Sequence, residues 1–237
     1  MAHKIVFILT SHSELGSTGF KTGSWLEELA QPYYAFKEAG CEVAMASIKG
    51  GAAPLDPMSF GEGWISPVGQ RFMADAKAQG ALASTKAIKD VAAADFDACF
   101  VVGGVGGAWD FPGNAALLAF LDDLAARSAI IGAVCHGAVA LADVKTPEGL
   151  ALVRGRNVTS VSNAEEVAVG FDKIVPILPE EALKRACGYY SAAAPFAAHV
   201  VQSDFVFTGQ NPASALPLAQ AMLRKLDANA DLKAKVA

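Results

Sequence analysis

One cysteine in this chain stands where a nucleophile would be built. Cys135 closes the apolar run Ala129-Ile130-Ile131-Gly132-Ala133-Val134 and is followed by His136, Gly137 and the helix-compatible Ala138-Val139-Ala140-Leu141-Ala142. A strand, a tight turn with small neighbours and then a helix is the layout of a nucleophile elbow, which holds its side chain out at the top of a sheet. A helix starting there aims free N–H groups and its positive dipole end at the sulfur. That environment pulls a thiol down from its usual value of ~8.5 toward thiolate. The competing reading is a buried packing cysteine, which glycines on both sides and an adjacent histidine disfavour.

A thiolate that adds to a carbonyl needs donors for the oxyanion and a group to move protons. Val101-Val102-Gly103-Gly104-Val105-Gly106-Gly107 ends another apolar run with four glycines in five residues. Such a loop can point backbone N–H groups at developing negative charge. A phosphate cradle is disfavoured because no G-x-x-x-x-G-K-[ST] pattern is present. Near the amino terminus, residues 22–36 read as a helix with Trp25, Leu29, Tyr33 and Phe36 on one face, Glu27 nearly opposite and Glu28 at the edge. Pro32 lacks an N–H and crowds the carbonyl of Glu28, so a kink or restart is expected there. A half-buried Glu28 would be an acid/base with a raised pKa. The pattern alone leaves an ordinary surface glutamate equally open.

Further elements must hold these groups. Continuous apolar runs at 5–9, 43–46, 98–102, 129–134 and 205–207 predict strands covered on both faces of a parallel sheet. Helical patterns lie between them, at 114–127 and again from Leu216 to Leu226, and one helix is predicted within 72–88. The alternation predicts an α/β fold, a doubly wound and mostly parallel sheet with ligands at the carboxyl ends of its strands. No linker or repeat divides the chain, so residues 1–237 read as a single domain, with 48–93 as an elaborated crossover.

The chain has 237 residues, 53% hydrophobic and 18% charged, with a net charge of −5. That composition disfavours disorder. Lysine and arginine are scattered without a basic stripe, so no nucleic-acid partner is expected. No run approaches the ~20 apolar residues of a membrane span. The first apolar run is too short for a signal-peptide core, and a cytoplasmic location is expected. The cysteines at 41, 99, 135 and 187 form no C-x-x-C pair, and His3 and His12 lack partners at ligand spacing. Neither a metal nor another cofactor is expected. Cys41 and Cys99 read as packing residues, Asn211-Pro212 as a helix cap and His199 as a rim or core histidine.

Taken together, these segments resemble the ThiJ/PfpI superfamily, relatives of class I glutamine amidotransferases. The closer resemblance is to the branch of glutathione-independent glyoxalases (glyoxalase III) and heat-shock-type chaperones. It is carried by Thr22-Gly23 with Glu28 and Pro32, by Asp110-Phe111-Pro112, by Ala133-Val134-Cys135-His136-Gly137, and by Thr208-Gly209-Gln210-Asn211-Pro212-Ala213-Ser214. The resemblance implies a flavodoxin-like sandwich, a homodimer, and catalytic roles for Cys135, His136, Glu28 and Glu166, with Glu165 as the near-register alternative. It places the oxyanion at Gly104, beside Gly103, Val105 and the His136 N–H. It implies a cofactor-free lyase turning methylglyoxal or another small 2-oxoaldehyde into a 2-hydroxy acid. Two rival readings stay open. A cysteine amidase or peptidase would need the His136 ring beside Cys135, although adjacent residues on an elbow are expected to point apart. A stress chaperone or redox sensor would use Cys135 only as an oxidisable thiol. One position departs from the pattern: relatives commonly carry Gly-His-Gly in the glycine loop, and this chain has Val105 in the middle.

Overall fold

The computed structural model describes residues 2–236. Nine strands run in chain order as β1 (Lys4–Leu9), β2 (Glu42–Ser47), β3 (Lys86–Ala87), β4 (Ala98–Val101), β5 (Ile130–Val134), β6 (Asn157–Val158), β7 (Tyr189–Tyr190), β8 (Val200–Ser203) and β9 (Val206–Gly209). The main helices are α1 (Leu26–Glu38), α2 (Pro67–Ala74), α3 (Ala76–Ala83), α4 (Gly107–Asp110), α5 (Ala115–Ala126), α6 (Asn163–Val169), α7 (Pro179–Arg185) and α8 (Ala215–Val236). Seven strands form one sheet in the order β3-β2-β1-β4-β5-β9-β8, and β6 pairs with β7 apart from it. Every neighbouring pair in the large sheet is parallel except β8 with β9.

The continuous apolar runs have the predicted cause. Along β1, Ile5, Phe7 and Leu9 join the layer containing Leu29 and Phe36 of α1 and Met222 of α8. The alternate residues Val6 and Ile8 join the opposite layer with Leu117, Leu121 and Leu124 of α5. Side chains alternate faces along a strand, so a strand covered twice must be apolar at every position. Chain order reverses about β1, between β2 and β4, which puts the crevice for a ligand at the carboxyl ends of β1, β4 and β5.

Several local expectations need correction. The helix predicted within 72–88 is two helices, because Asp75 ends α2 and caps α3 by accepting from the N–H groups of Lys77 and Ala78. The amino-terminal helix begins at Leu26, not near residue 22. Before it, Ser24 donates its N–H to Pro54 and Trp25 donates to Gly103. Pro32 lies inside α1, which continues to Glu38 without restarting. Glu27 is buried rather than solvent-facing, its carboxylate accepting from the N–H and hydroxyl of Ser66 at 2.7 Å each. Cys135 is followed by a 3-10 helix, Cys135–Ala142, not an α-helix.

Candidate active site

The elbow forms where β5 reaches the edge of the sheet. Cys135 has φ 55°, a left-handed conformation that is strained for a residue with a Cβ and turns its side chain back over the sheet. Gly137 permits the turn to sit on β4, since a Cβ there would lie 2.6 Å from the Val101 carbonyl. Gly132 has a different use from the one its place in the elbow suggested: it makes room for the Met222 side chain of α8.

The glycine loop packs directly against this turn. Gly104 has φ 110°, and a Cβ there would run into Gly23 and Trp25 backbone. Asp110, at the end of the loop's short helix, accepts from Thr10 Oγ1 and Ser11 N at 2.7 Å and so ties the loop to the end of β1. Gly103 sits where Glu28 and the elbow converge. A Cβ on it would strike Glu28 Oε2 and lie 2.5 Å from the Val134 carbonyl and 2.7 Å from Cys135 Cβ. Gly103→Ala is therefore expected to cost about 2 kcal/mol or more by overpacking, read as a lowered urea midpoint, and to displace Glu28.

Glu28 lies in the first turn of α1 and is fully buried. Its carboxyl faces Cys135, and among the described residues no other hydrogen-bond partner reaches either oxygen. Burial, reinforced by the charges of Glu165 and Asp56, pushes its pKa up to about 8. At neutral pH Glu28 is thus a protonated acid held against sulfur. Cys135 does not follow the expectation of a thiol lowered by a helix start. Burial first, then the charges of Glu28 and Glu166, push it well up, and the His136 N–H bonded to sulfur offsets this only in part. Proton occupancy of Glu28 removes one of those repulsions, so the two groups titrate as a pair.

His136 does reach the sulfur, against the expectation that neighbours on an elbow point apart. Its Nδ1 lies 3.4 Å from Cys135 Sγ, and its Nε2 lies 2.6 Å from Glu166 Oε1. The Nε2–Glu166 approach is a close charge contact without hydrogen-bond alignment, and it seats the imidazole between the carboxylate and the sulfur. Glu166 is fully buried, and among the described residues neither of its oxygens has a hydrogen-bond partner.

Its neighbour Glu165 is structural. It closes a capping box at the start of α6 with Ser162, and its two oxygens also accept from Phe196 N, Gln210 Nε2 and Asn211 Nδ2. Ser162-x-x-Glu165 is a capping-box signature readable from sequence, and it would have assigned the two glutamates apart. Asn211 has the expected capping partner in Ser214 but also anchors Glu165. His199 bonds Ser191 at 2.9 Å. Cys41 and Cys99 are buried in the core, and Cys187 is exposed.

No residue pattern marked the pocket walls in advance. Cys135, Glu28, His136, Glu166, Gly104 and Val105 meet at its floor, while Trp25, Met58, Trp64, Val161, Phe171 and Phe196 enclose them. Val105 packs with Leu15 and Phe171, so the loop's departure from Gly-His-Gly replaces a polar wall with an apolar one.

The fold and site together define an α/β protein centred on a buried cysteine, its strained elbow faced by a buried carboxyl and backed by a close imidazole–carboxylate contact. The DJ-1/PfpI family matches residues 22–225, and the chain belongs to that family. It is similar to the glutathione-independent glyoxalase HSP31 of Saccharomyces cerevisiae, 28% identical over 95% of this chain and 97% of the relative. It is also similar to glyoxalase 3 of Candida albicans, 25% identical over 95% of this chain and 99% of that one. Among solved structures, the Rapid Encystment Protein 24 kDa of Francisella tularensis is 35% identical with a TM-score of 0.91, over 95% of this chain and 99% of that chain.

Proposed function

We propose that the chain is a glutathione-independent glyoxalase that converts methylglyoxal or a related 2-oxoaldehyde to a 2-hydroxy acid. One observation carries this reading: the Glu28 carboxyl is fully buried and faces the Cys135 sulfur, where burial holds its pKa up. Similarity to two glyoxalases over nearly the whole chain supports it.

The groups suffice for a balanced reaction. His136 takes the Cys135 proton through Nδ1, and the sulfur bonds to the aldehyde carbon while Glu28 protonates its oxygen, giving a hemithioacetal. Glu28, now ionised, removes the hydrogen from that carbon, and imidazolium protonates the neighbouring carbonyl oxygen to give an enediol. Glu28 returns its proton to the second carbon, and His136 takes the first hydroxyl's proton, leaving a thioester. Water adds to the thioester, restoring the Glu28 proton, and the departing sulfur recovers its own from His136. The first carbon is oxidised and the second reduced, so only water is consumed. In this reading the Gly104 N–H serves as donor to the oxygen on the attacked carbon, while the His136 N–H holds the sulfur. An acid with a pKa near the working pH suits a group that gives and takes in turn.

The Cys135–His136–Glu166 line also fits acyl transfer, as in an amidase. An amidase has no use for Glu28 as a proton donor at the sulfur, which favours the glyoxalase. Lactate production from methylglyoxal by the purified chain, without glutathione, tests the choice. Steady turnover is expected, and hydrolysis of amides with no lactate would reverse it. A homodimer in the cytoplasm belongs to the same proposal. The four cysteines are free thiols, as a reducing compartment would leave them.

A further inference from the structure

The chemistry above uses only the pocket floor, yet the mouth is also constructed. On one side, the segment from Asp56 to Ser66 is clamped at both ends by buried carboxylates. Asp56 accepts from Thr22 Oγ1 and Met58 N, and Glu27 holds Ser66. Between the clamps the segment holds Met58 and Trp64 at the pocket, each 45% exposed, with Trp64 edge-on to Trp25 at 5.3 Å. On the other side Phe196 is 47% exposed with φ 63°. A left-handed conformation is an outlier for a bulky residue, and such strain gathers at ligand sites. Here it is held by the Phe196 N–H donating to Glu165 Oε1 at 2.8 Å.

Accepting the glyoxalase reading, we propose that the preferred substrates are 2-oxoaldehydes bearing a bulky apolar or aromatic group, with Trp64 and Phe196 as specificity-determining residues. The reacting carbons are fixed between Cys135 and Glu28, so the remaining substituent must leave the floor along the apolar walls. A methyl group is too short to cover both outer rings. A phenyl ring can meet them edge to face and take their surface from water. Val105 extends the apolar wall inward to Leu15 and Phe171, a surface that suits an apolar substituent better than a hydrated one. The bonds made and broken are unchanged: phenylglyoxal and water would give mandelate.

The test compares kcat/KM for phenylglyoxal and methylglyoxal in wild type, Trp64→Ala and Phe196→Ala, following mandelate and lactate. Wild type is expected to favour phenylglyoxal by about tenfold or more, and each variant to lower that ratio about tenfold, in the range that apolar pocket contacts supply. Both side chains are half-exposed, and the thermal midpoint of each variant monitors folding. Methylglyoxal turnover without a preference for phenylglyoxal, or variants that leave the ratio unchanged, would overturn this inference alone. Absence of both acids would overturn the glyoxalase reading together with it.

Discussion

Glu28→Gln is expected to lower lactate formation by ~10³-fold while making the protein more stable at alkaline pH. Glutamine keeps the shape and hydrogen-bonding capacity of a protonated carboxyl but cannot pass a proton between carbons. The stability effect follows from linkage. The unfolded chain releases the Glu28 proton near its ordinary value of 4.5, whereas the folded chain holds it to about 8. Between those values the native state binds more protons than the unfolded one, so wild-type stability falls as pH rises. The cost of keeping this group in place is almost absent at pH 4.5 and on the order of 4 kcal/mol by pH 8. Urea midpoints of the two proteins should therefore coincide near pH 4.5 and separate toward pH 8, with the variant more stable. Equal midpoints at pH 8 would mean that Glu28 is not held protonated. The wild-type rate should also decline above about pH 8 as the donor is lost.

Cys135→Ala is expected to lower turnover at least ~10⁴-fold, the scale of removing a nucleophile that acts with its partners as one unit. Added glutathione should not restore it, because the buried Cys135 sulfur is the thiol that Glu28 faces. Lactate is the readout. The thermal midpoint of the variant, measured alongside, separates a lost fold from a lost nucleophile. A variant retaining more than a few per cent of wild-type turnover would exclude sulfur addition.

The parts of the site legible in the sequence were those made by neighbours in the chain. The Cys135 elbow and the glycine loop each follow an apolar strand, so their place at the sheet edge could be read from a few residues. Glu28 could not be assigned from pattern, because its burial depends on Gly103 and Cys135 arriving from distant strands. The helix does not restart at Pro32 for a related reason: the packing of α1 on α8 and the sheet outweighs one missing N–H. The approach of His136 to sulfur depends on a single left-handed φ at Cys135, which residue type does not disclose. Burial of the thiol likewise opposes the local electrostatics from which a low pKa was expected. Trp64 and Phe196 were invisible because their placement depends on long-range bonds to Glu27 and Glu165.

The central claim is that Cys135 bonds to the substrate aldehyde and that Glu28 then moves the proton. Its most direct measurement is native mass spectrometry of intact Glu28→Gln incubated with methylglyoxal, with the Glu28→Gln/Cys135→Ala double variant as control. The mechanism predicts a mass gain of one methylglyoxal that is lost in the double variant, with almost no lactate formed. Rapid lactate formation by that variant, or the absence of any adduct at Cys135, would contradict it.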